Sequence, residues 1–586
     1  MPERWILVWT WLTEGLSAAL ASVGLGDARH LERVELAIPR DASHGDWTTN
    51  IALLLAREVG QSPRALAEAL AAAFPRDPEL FAAVEVAGPG FLNFRYSDGF
   101  LAELPTMIRR ADERFGTSEG GGGARILVEY VSANPTGPLN VVSARAAAVG
   151  AALVRLFNAA GFQAAGEFYV NDAGRQVDLL GESFAARFAE SIGAPRAFPE
   201  EGYQGEYVKE LAAELPKAEA RAALERDDMD WFRDHALDRM LAWQRKDLQA
   251  YGAEFDRWFR ESELHRSGKV EQTLAALEAR GMTYVARQPE GGGSERPAHE
   301  EAENATLEDA TFLRTSRFGD DTDRVVVRSN GAPTYLLPDI AYHRDKHDRG
   351  FRHVIDLWGP DHHGYVPRMK AALLALGYEP GFFDVLIVQQ VNLMSGGQPV
   401  KMSKRKGEFI TLRELMDDVG ADCAKFFFLM RSTSAHLDFD LDLAKRQNDE
   451  NPAYYVQYAH ARIASILRFA ADRGLAPNPP DVTRRAADEA PEERALERKL
   501  SAFPEVVRGA AAAREPHRIP GYLMETAAEF HRFYHACRVV SEDVEKSRRR
   551  LEITDAARIV LRNGLSLMGV SAPERMTRSE AEVSSA

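Results

Sequence analysis

Two short segments carry side chains whose types and spacing could do chemistry. The first is VEYVSANPTGPLN, where a strand-like apolar run gives way to a turn and then to the start of an Ala-rich helix. The second is VKMSKRKGEFITL, in which Lys401, Lys404 and Arg405 crowd several cations onto one short loop with Gly407 behind them. A loop of that kind can neutralise the charge of a triphosphate as it is attacked, the main requirement of phosphoryl and nucleotidyl transfer. Between them lies the string Asp361-His362-His363. Two adjacent histidines without cysteine or a further histidine make a poor zinc site, so no protein-bound metal is expected.

These groups need a frame. RILVEYVSA reads as a buried strand over Ile126 to Val131, ARAAAVGAALVRLFNAAG as a helix ending at Gly161, and EFYVND as a second strand. That strand–loop–helix–strand order opens a doubly wound parallel sheet, whose ligand site lies beyond the strand C-termini. Residues 177 to 280 read as mostly helical. DRVVVRS, HVIDLWG and FFDVLIVQQV are strand-like and are expected to complete the sheet. ARQPEGGGSERPAHEEAENA reads as a polar surface loop. From 437 onward the chain reads as helix after helix, AYYVQYAHARIASILRFAADRG being the clearest.

The first 116 residues read as a small α/β unit. It opens on WILVWTWL, too short to span a bilayer and read as a buried or amphipathic helix, and closes on two strands around a Gly-Pro-Gly turn in VEVAGPGFLNFRY. Gly120–Gly123 is a natural boundary. The fold class is therefore α/β. A Rossmann-like core over 124–436 carries helical insertions, a small N-terminal α/β domain over 1–116 and an all-helical C-terminal bundle over 437–586. No membrane span is expected. With 586 residues, 45% apolar and 27% charged, the chain can bury large cores without staples. Its two cysteines suit a reducing cytoplasm. The net charge of -16 does not advertise a nucleic-acid binder, but a locally basic face is compatible with it.

The KMSK string, paired with an upstream strand–PTGPL–helix turn, resembles the two signature motifs of class I aminoacyl-tRNA synthetases. VSANPTGPL, FYVNDAGRQ, TYLLPDIAYHRDK, WGPDHHGY, VKMSKRKGEF, NPAYYVQYAHARI and GVSAPERM resemble the arginyl family specifically, in its order and over nearly the whole chain. The resemblance implies an arginine–tRNA ligase acting with ATP, Mg²⁺ and tRNA, as a monomer. It implies that Glu129 and Asn134 hold the amino and carboxylate end of arginine, with Tyr335 and Asp339 at its guanidinium. Pro135, Gly137, Val142, Asp361, His362, His363, Met402 and Ser403 would line the ATP site, and Lys401, Lys404, Asn140 and Ser143 would serve catalysis. Tyr454, Tyr455, Gln457, Tyr458 and His460 would stack or pair with tRNA bases, although tyrosines at helical spacing are also ordinary core residues. The N-terminal unit would touch the outer corner of the tRNA.

The chain departs from the family pattern in one place. Where the first motif has His-x-Gly-His, this sequence has Asn140-Val141-Val142-Ser143, with Ala146 for the usual glycine and Ala151 for the usual aspartate. Asn140 and Ser143 keep hydrogen-bonding groups, whereas Val142 puts a β-branched side chain where a glycine lets adenine lie on the backbone. Three readings stay open on this residue pattern: a ligase with an altered ATP seat, a non-catalytic paralogue that binds tRNA or arginine in a regulatory role, and a nucleotidyl-transfer enzyme for another substrate.

Overall fold

A computed structural model describes residues 4–39, 41–289, 307–400, 410–477 and 489–576. The chain divides into two compact units, residues 120–446 and the two chain ends together, 1–119 with 447–586. The glycine run at Gly120–Gly123 lies at the first of these divisions.

The larger unit is built on a five-stranded sheet in which every pairing is parallel. Its elements are β1 (Arg125–Glu129), α1 (Val141–Ala159), β2 (Gln163–Val170), α2 (Arg175–Ser191), α3 (Met229–Tyr251), β3 (Arg257–Arg260), α4 (Leu336–Asp348), β4 (His353–Trp358) and β5 (Phe383–Ile387). The strand order is β5-β4-β1-β2-β3. The chain leaves β1 toward β2 and β3, and later returns to the other side of β1 for β4 and β5. This reversal opens a crevice beyond the C-terminal ends of β1 and β4, the expected ligand site of such sheets. The central strands read as continuous apolar runs because helices cover both faces.

Helix α1 is the described helix long and apolar enough to cross a membrane, and 67% of that stretch is buried inside the protein. It packs on β1 and β2 as a core helix. Its close approach depends on Gly150, where a Cβ would run into the ring of Tyr130.

Four expectations shift. DRVVVRS supplies Arg324–Val327, which joins Thr283–Pro289 and Leu307–Leu313 in a separate antiparallel sheet, not the main one. ARQP, read as loop, is the end of the strand Thr283–Pro289, while 290–306 lie outside the described residues. Strand β3 sits inside the segment read as helical; at four residues it carries too little pattern to show. At 437, Leu437–Asp440 is a strand parallel to Val391–Ser395, and residues up to 446 fall within the core unit.

In the second unit, the helix Arg4–Ser22 buries Val8, Leu12, Leu16 and Leu20. The strands Phe81–Ala87 and Phe91–Tyr96 form the expected hairpin. Helix Asp98–Ala111 packs against Val544–Leu567. Asn563 donates to the carbonyls of Asp112 (2.8 Å) and Phe115 (3.0 Å), and Arg109 meets Asp555 at 2.9 Å. The small N-terminal α/β module and the C-terminal helices thus share one folded body.

Candidate active site

The crevice begins where β1 stops. Val131 and Ser132 follow it with φ of 68° and 40°, conformations that a β-branched residue rarely takes. Strain of this kind costs about 1–3 kcal/mol per residue and persists where surrounding contacts impose it. Here Tyr130 is pinned by its hydroxyl to the carbonyl of Glu254 (2.6 Å), and the Ser132 hydroxyl donates to Glu129 (2.9 Å) while accepting from the Tyr169 amide (3.1 Å).

The turn after it is held from the helical insertion. Gln244 on α3, buried, donates from its amide to the carbonyls of Asn134 (3.2 Å) and Gly137 (2.9 Å), and the Tyr207 hydroxyl donates to the Thr136 carbonyl (2.8 Å). Buried Pro135 and half-buried Gly137 are therefore fixed from one side, while Asn134 is exposed and donates to Gln176 at 2.9 Å. The turn ends on Asn140, the N-cap of α1, whose side-chain oxygen accepts from the Val142 (3.0 Å) and Ser143 (3.1 Å) amides. Asn is a strong cap, so the substituted motif keeps the helix start ordered, with the amide –NH₂ of Asn140 left as its donor. Val142 is 37% exposed at this helix start. Arg145, one turn in, is buried and donates to the carbonyls of Gln389 (2.8 Å), Ser432 (2.8 Å) and Ala435 (3.0 Å). Its partners there are carbonyls and not carboxylates, and burial brings its guanidinium down to about 10.

Acidic side chains line the crevice floor. Glu129 lies in register with Asp356 on β4 and with Glu167 on β2, so three carboxylates stand abreast on adjacent strands. Helix α4 covers that face. Lys346 donates to Glu129 (2.6 Å) and Asp356 (2.9 Å), Arg349 is bidentate to Glu167 (2.6 and 2.8 Å), and Tyr342 donates to Glu167 at 2.7 Å. Burial, with Asp356 alongside, pushes the Glu129 carboxyl up against the pull of Lys346. Burial would also raise Asp356, but Lys346 and His343 outweigh it and hold that carboxyl below its usual range.

Asp339 stands in the first turn of α4 and accepts from the Tyr365 hydroxyl at 2.7 Å. Burial raises its carboxyl, opposed by Tyr365 and His343. Glu261, just after β3, is raised likewise by burial and by the charge of Asp339, while a hydrogen bond from Tyr169 lowers it. Two carboxylates withdrawn from water and close enough to feel each other's charge form a receptor for a cation with several donors.

The expected site residues are thus only partly brought together. Glu129, Asn134, Pro135, Gly137, Asn140, Val142, Ser143 and Asp339 surround the crevice. Asp361, His362 and His363 are exposed on the 3₁₀ helix Pro360–Tyr365, directly beyond β4. Tyr335, expected at the guanidinium pocket, is 78% exposed at the N-cap of α4 and offers no side-chain cap there. Lys401, Met402, Ser403 and Lys404 lie outside the described residues. On helix Pro452–Ala471, Tyr454 and His460 are buried, His460 bonding the Pro573 carbonyl at 2.9 Å, so both pack within the bundle. Tyr455, Gln457 and Tyr458 are half-buried. Gln457 donates to Ser571 (2.9 Å), Tyr458 stacks on Tyr454 (5.8 Å) and Tyr455 lies against His531 (5.3 Å). Sequence reasoning missed Glu261, Gln244, Lys346 and Asp356; the one signal was the acid inside the apolar strand HVIDLW. Among the described residues no group of three or more His, Cys, Asp or Glu side chains is arranged to hold a metal ion.

The open parallel sheet, with a capped helix at its switch point, has the architecture of a class I synthetase catalytic core. Known proteins carry the reading further. A family model described as the arginyl tRNA synthetase N terminal domain matches residues 11–96, and the DALR anticodon binding domain matches 456–576. The arginine–tRNA ligase of Geobacillus kaustophilus is 43% identical over 96% of this chain and 98% of its own length. That of Syntrophotalea carbinolica is 45% identical over 93% of this chain and 95% of its own. The structure of Thermus thermophilus arginyl-tRNA synthetase, 23% identical, superposes with a TM-score of 0.73 over 98% of this chain and all of its own, a likeness of fold. The chain belongs to the arginyl-tRNA synthetase family of class I aminoacyl-tRNA synthetases.

Proposed function

We propose that this protein joins L-arginine to its tRNA as a cytoplasmic monomer, using ATP with Mg²⁺. The observation that carries the substrate is a crevice acidic at both ends: Glu129 at the β1 terminus suits an α-ammonium, and Asp339 with Glu261 suits a guanidinium. Near-complete alignment with arginine–tRNA ligases supports a working enzyme.

In the reaction, the arginine carboxylate attacks the α-phosphorus of ATP, and pyrophosphate leaves. The terminal ribose hydroxyl of the tRNA then attacks the arginyl carbonyl, and AMP leaves. Positioning and charge neutralisation supply most of the catalysis in such displacements. The turn gripped by Gln244 and Tyr207 aligns the start of α1, where the Asn140 oxygen caps the Val142 and Ser143 amides and its –NH₂ is the donor offered to the nucleotide. Ser143 contributes a hydroxyl nearby. Lys401 and Lys404 neutralise the leaving pyrophosphate, with Met402 and Ser403 between them. Mg²⁺ accompanies ATP as its counter-charge. Asn134 holds the arginine carboxylate end, and Asp361, His362 and His363 border the nucleotide. For the tRNA we retain Tyr455, Gln457 and Tyr458 as contacts of the bundle.

The test is tRNA charging with labelled arginine at saturating ATP, with tRNA present throughout. Charging that disappears in Lys404→Ala supports the reading. Absence of charging by the parent protein, with arginine and tRNA still bound, overturns it.

A further inference from the structure

Three carboxylates abreast on neighbouring strands, Asp356, Glu129 and Glu167, are an electrostatic liability that α4 offsets unequally. Glu167 takes a bidentate guanidinium and a tyrosine hydroxyl. Asp356 takes the Lys346 ammonium on one oxygen and His343 Nε2 on the other, at 2.9 and 3.0 Å. Among the described residues, Glu129 has only its share of Lys346 and the Ser132 hydroxyl. It is the one of the three short of charge compensation, and it stands at the strand terminus facing the crevice.

Lys346 is fully buried, and its position is set by what surrounds it. Its ammonium lies over the Tyr342 ring at 4.1 Å and between two carboxylates. His343 in turn is fixed on both sides. Nδ1 is 2.8 Å from the Asp339 carbonyl, which can only accept, so Nδ1 carries a proton. Nε2 then faces the second carboxylate oxygen of Asp356. Asp356, held by His343 through one oxygen, thus holds Lys346 through the other.

We propose that Lys346, braced by Asp356 and His343, is a positioning residue that keeps Glu129 ionised and oriented to receive the α-ammonium of the amino-acid substrate. Without this lysine, Glu129 and Asp356 are two buried acids side by side, and such a pair shares a proton. A protonated Glu129 accepts poorly from an ammonium. Lys346 touches no substrate itself. The inference rests on the arginine reading of the crevice.

The test compares L-arginine with 5-guanidinopentanoic acid, the same molecule without its α-amino group, by isothermal titration on the full-length protein. The parent should prefer arginine by about ten- to a hundredfold, the span of one charge-assisted hydrogen bond. Lys346→Met should lose most of that preference by weakening arginine alone, leaving the deaminated ligand within about threefold of its parent affinity. In charging assays it should raise the KM for arginine and leave the KM for ATP near the parent value. Equal weakening of both ligands, or an unchanged preference, overturns the proposal. If Lys346→Met does not fold by circular dichroism, His343→Gln decides: selective weakening of arginine supports the brace, and equal or no weakening overturns it. A parent protein that shows no preference for the α-amino group refutes the placement of Glu129 in the arginine site, a failure visible before any variant is made.

Discussion

Replacing Asp339 by asparagine separates binding from stability, because the two respond with opposite sign. The new side chain would keep an oxygen for the Tyr365 hydroxyl, now bonded to Asp339 at 2.7 Å, so the crevice should hold its shape. What is lost is one negative charge, and an –NH₂ would face the guanidinium donors. Removing one partner of a buried charged pair costs about 3–5 kcal/mol. Asp339 is half-buried, so we take the low end, about 3 kcal/mol, or roughly a 150-fold rise in the KM for arginine. Stability should move the other way. Burial and the neighbouring Asp356 raise the Asp339 carboxyl. As pH rises, the unfolded chain therefore ionises first, and the folded protein loses stability from the ordinary carboxylate range up through the raised value. Above that it carries the full cost of the buried charge. Asp339→Asn should thus melt higher than the parent at about pH 7.5 without arginine, approach it at acid pH, and gain little from added arginine. Thermal melts at both pH values with and without arginine, together with charging kinetics, test this. A KM close to that of the parent, or a lower melting temperature at the higher pH, would refute the assignment of Asp339 to a buried cation receptor.

Other variants probe the remaining parts. Gln244→Leu strips two carbonyls of their donor, Asn134 and Gly137, and should raise the KM for ATP while costing about 2 kcal/mol of stability; unchanged ATP kinetics would show that the turn holds its shape without the grip. Lys404→Ala should lower the charging rate by about 10²–10³-fold, as for loss of one preorganised charge-stabilising group, and pre-steady-state activation rates would show it. The triple change Asn140→His, Val142→Gly, Ser143→His should tighten ATP and speed activation while giving up the helix cap, about 1 kcal/mol in a melt; if ATP affinity and rate do not move, adenine does not lie over Val142. Glu261→Gln should weaken arginine binding most at neutral pH and least at acid pH, where the raised carboxyl is already protonated; a pH-independent effect would speak against a charge role.

Much was legible from local pattern. The run RILVE, the turn NPTGPLN and the Ala-rich helix after it give β1, the turn and α1 directly, because strand, cap and helix signals are all carried by neighbours in one short stretch of chain. Asp339 could be picked out because a carboxylate in a family-like string has few alternatives. The tertiary structure decided the rest. The charge of Lys346 is hidden in sequence among HRDKHD, where a run of charges reads as a solvated face, yet packing of α4 over three in-register strands buries it completely. Glu261 is distant from Asp339 in the chain and feels its charge because the helix Glu261–Arg266, which follows β3, packs on α4. Helical spacing could not say which face of Pro452–Ala471 is covered; the structure buries Tyr454 and His460, with the chain around Pro573 lying against His460. Local structure follows from neighbours in the chain; the pairing and burial of charges follow from which strands lie abreast, and that is set by the core as a whole.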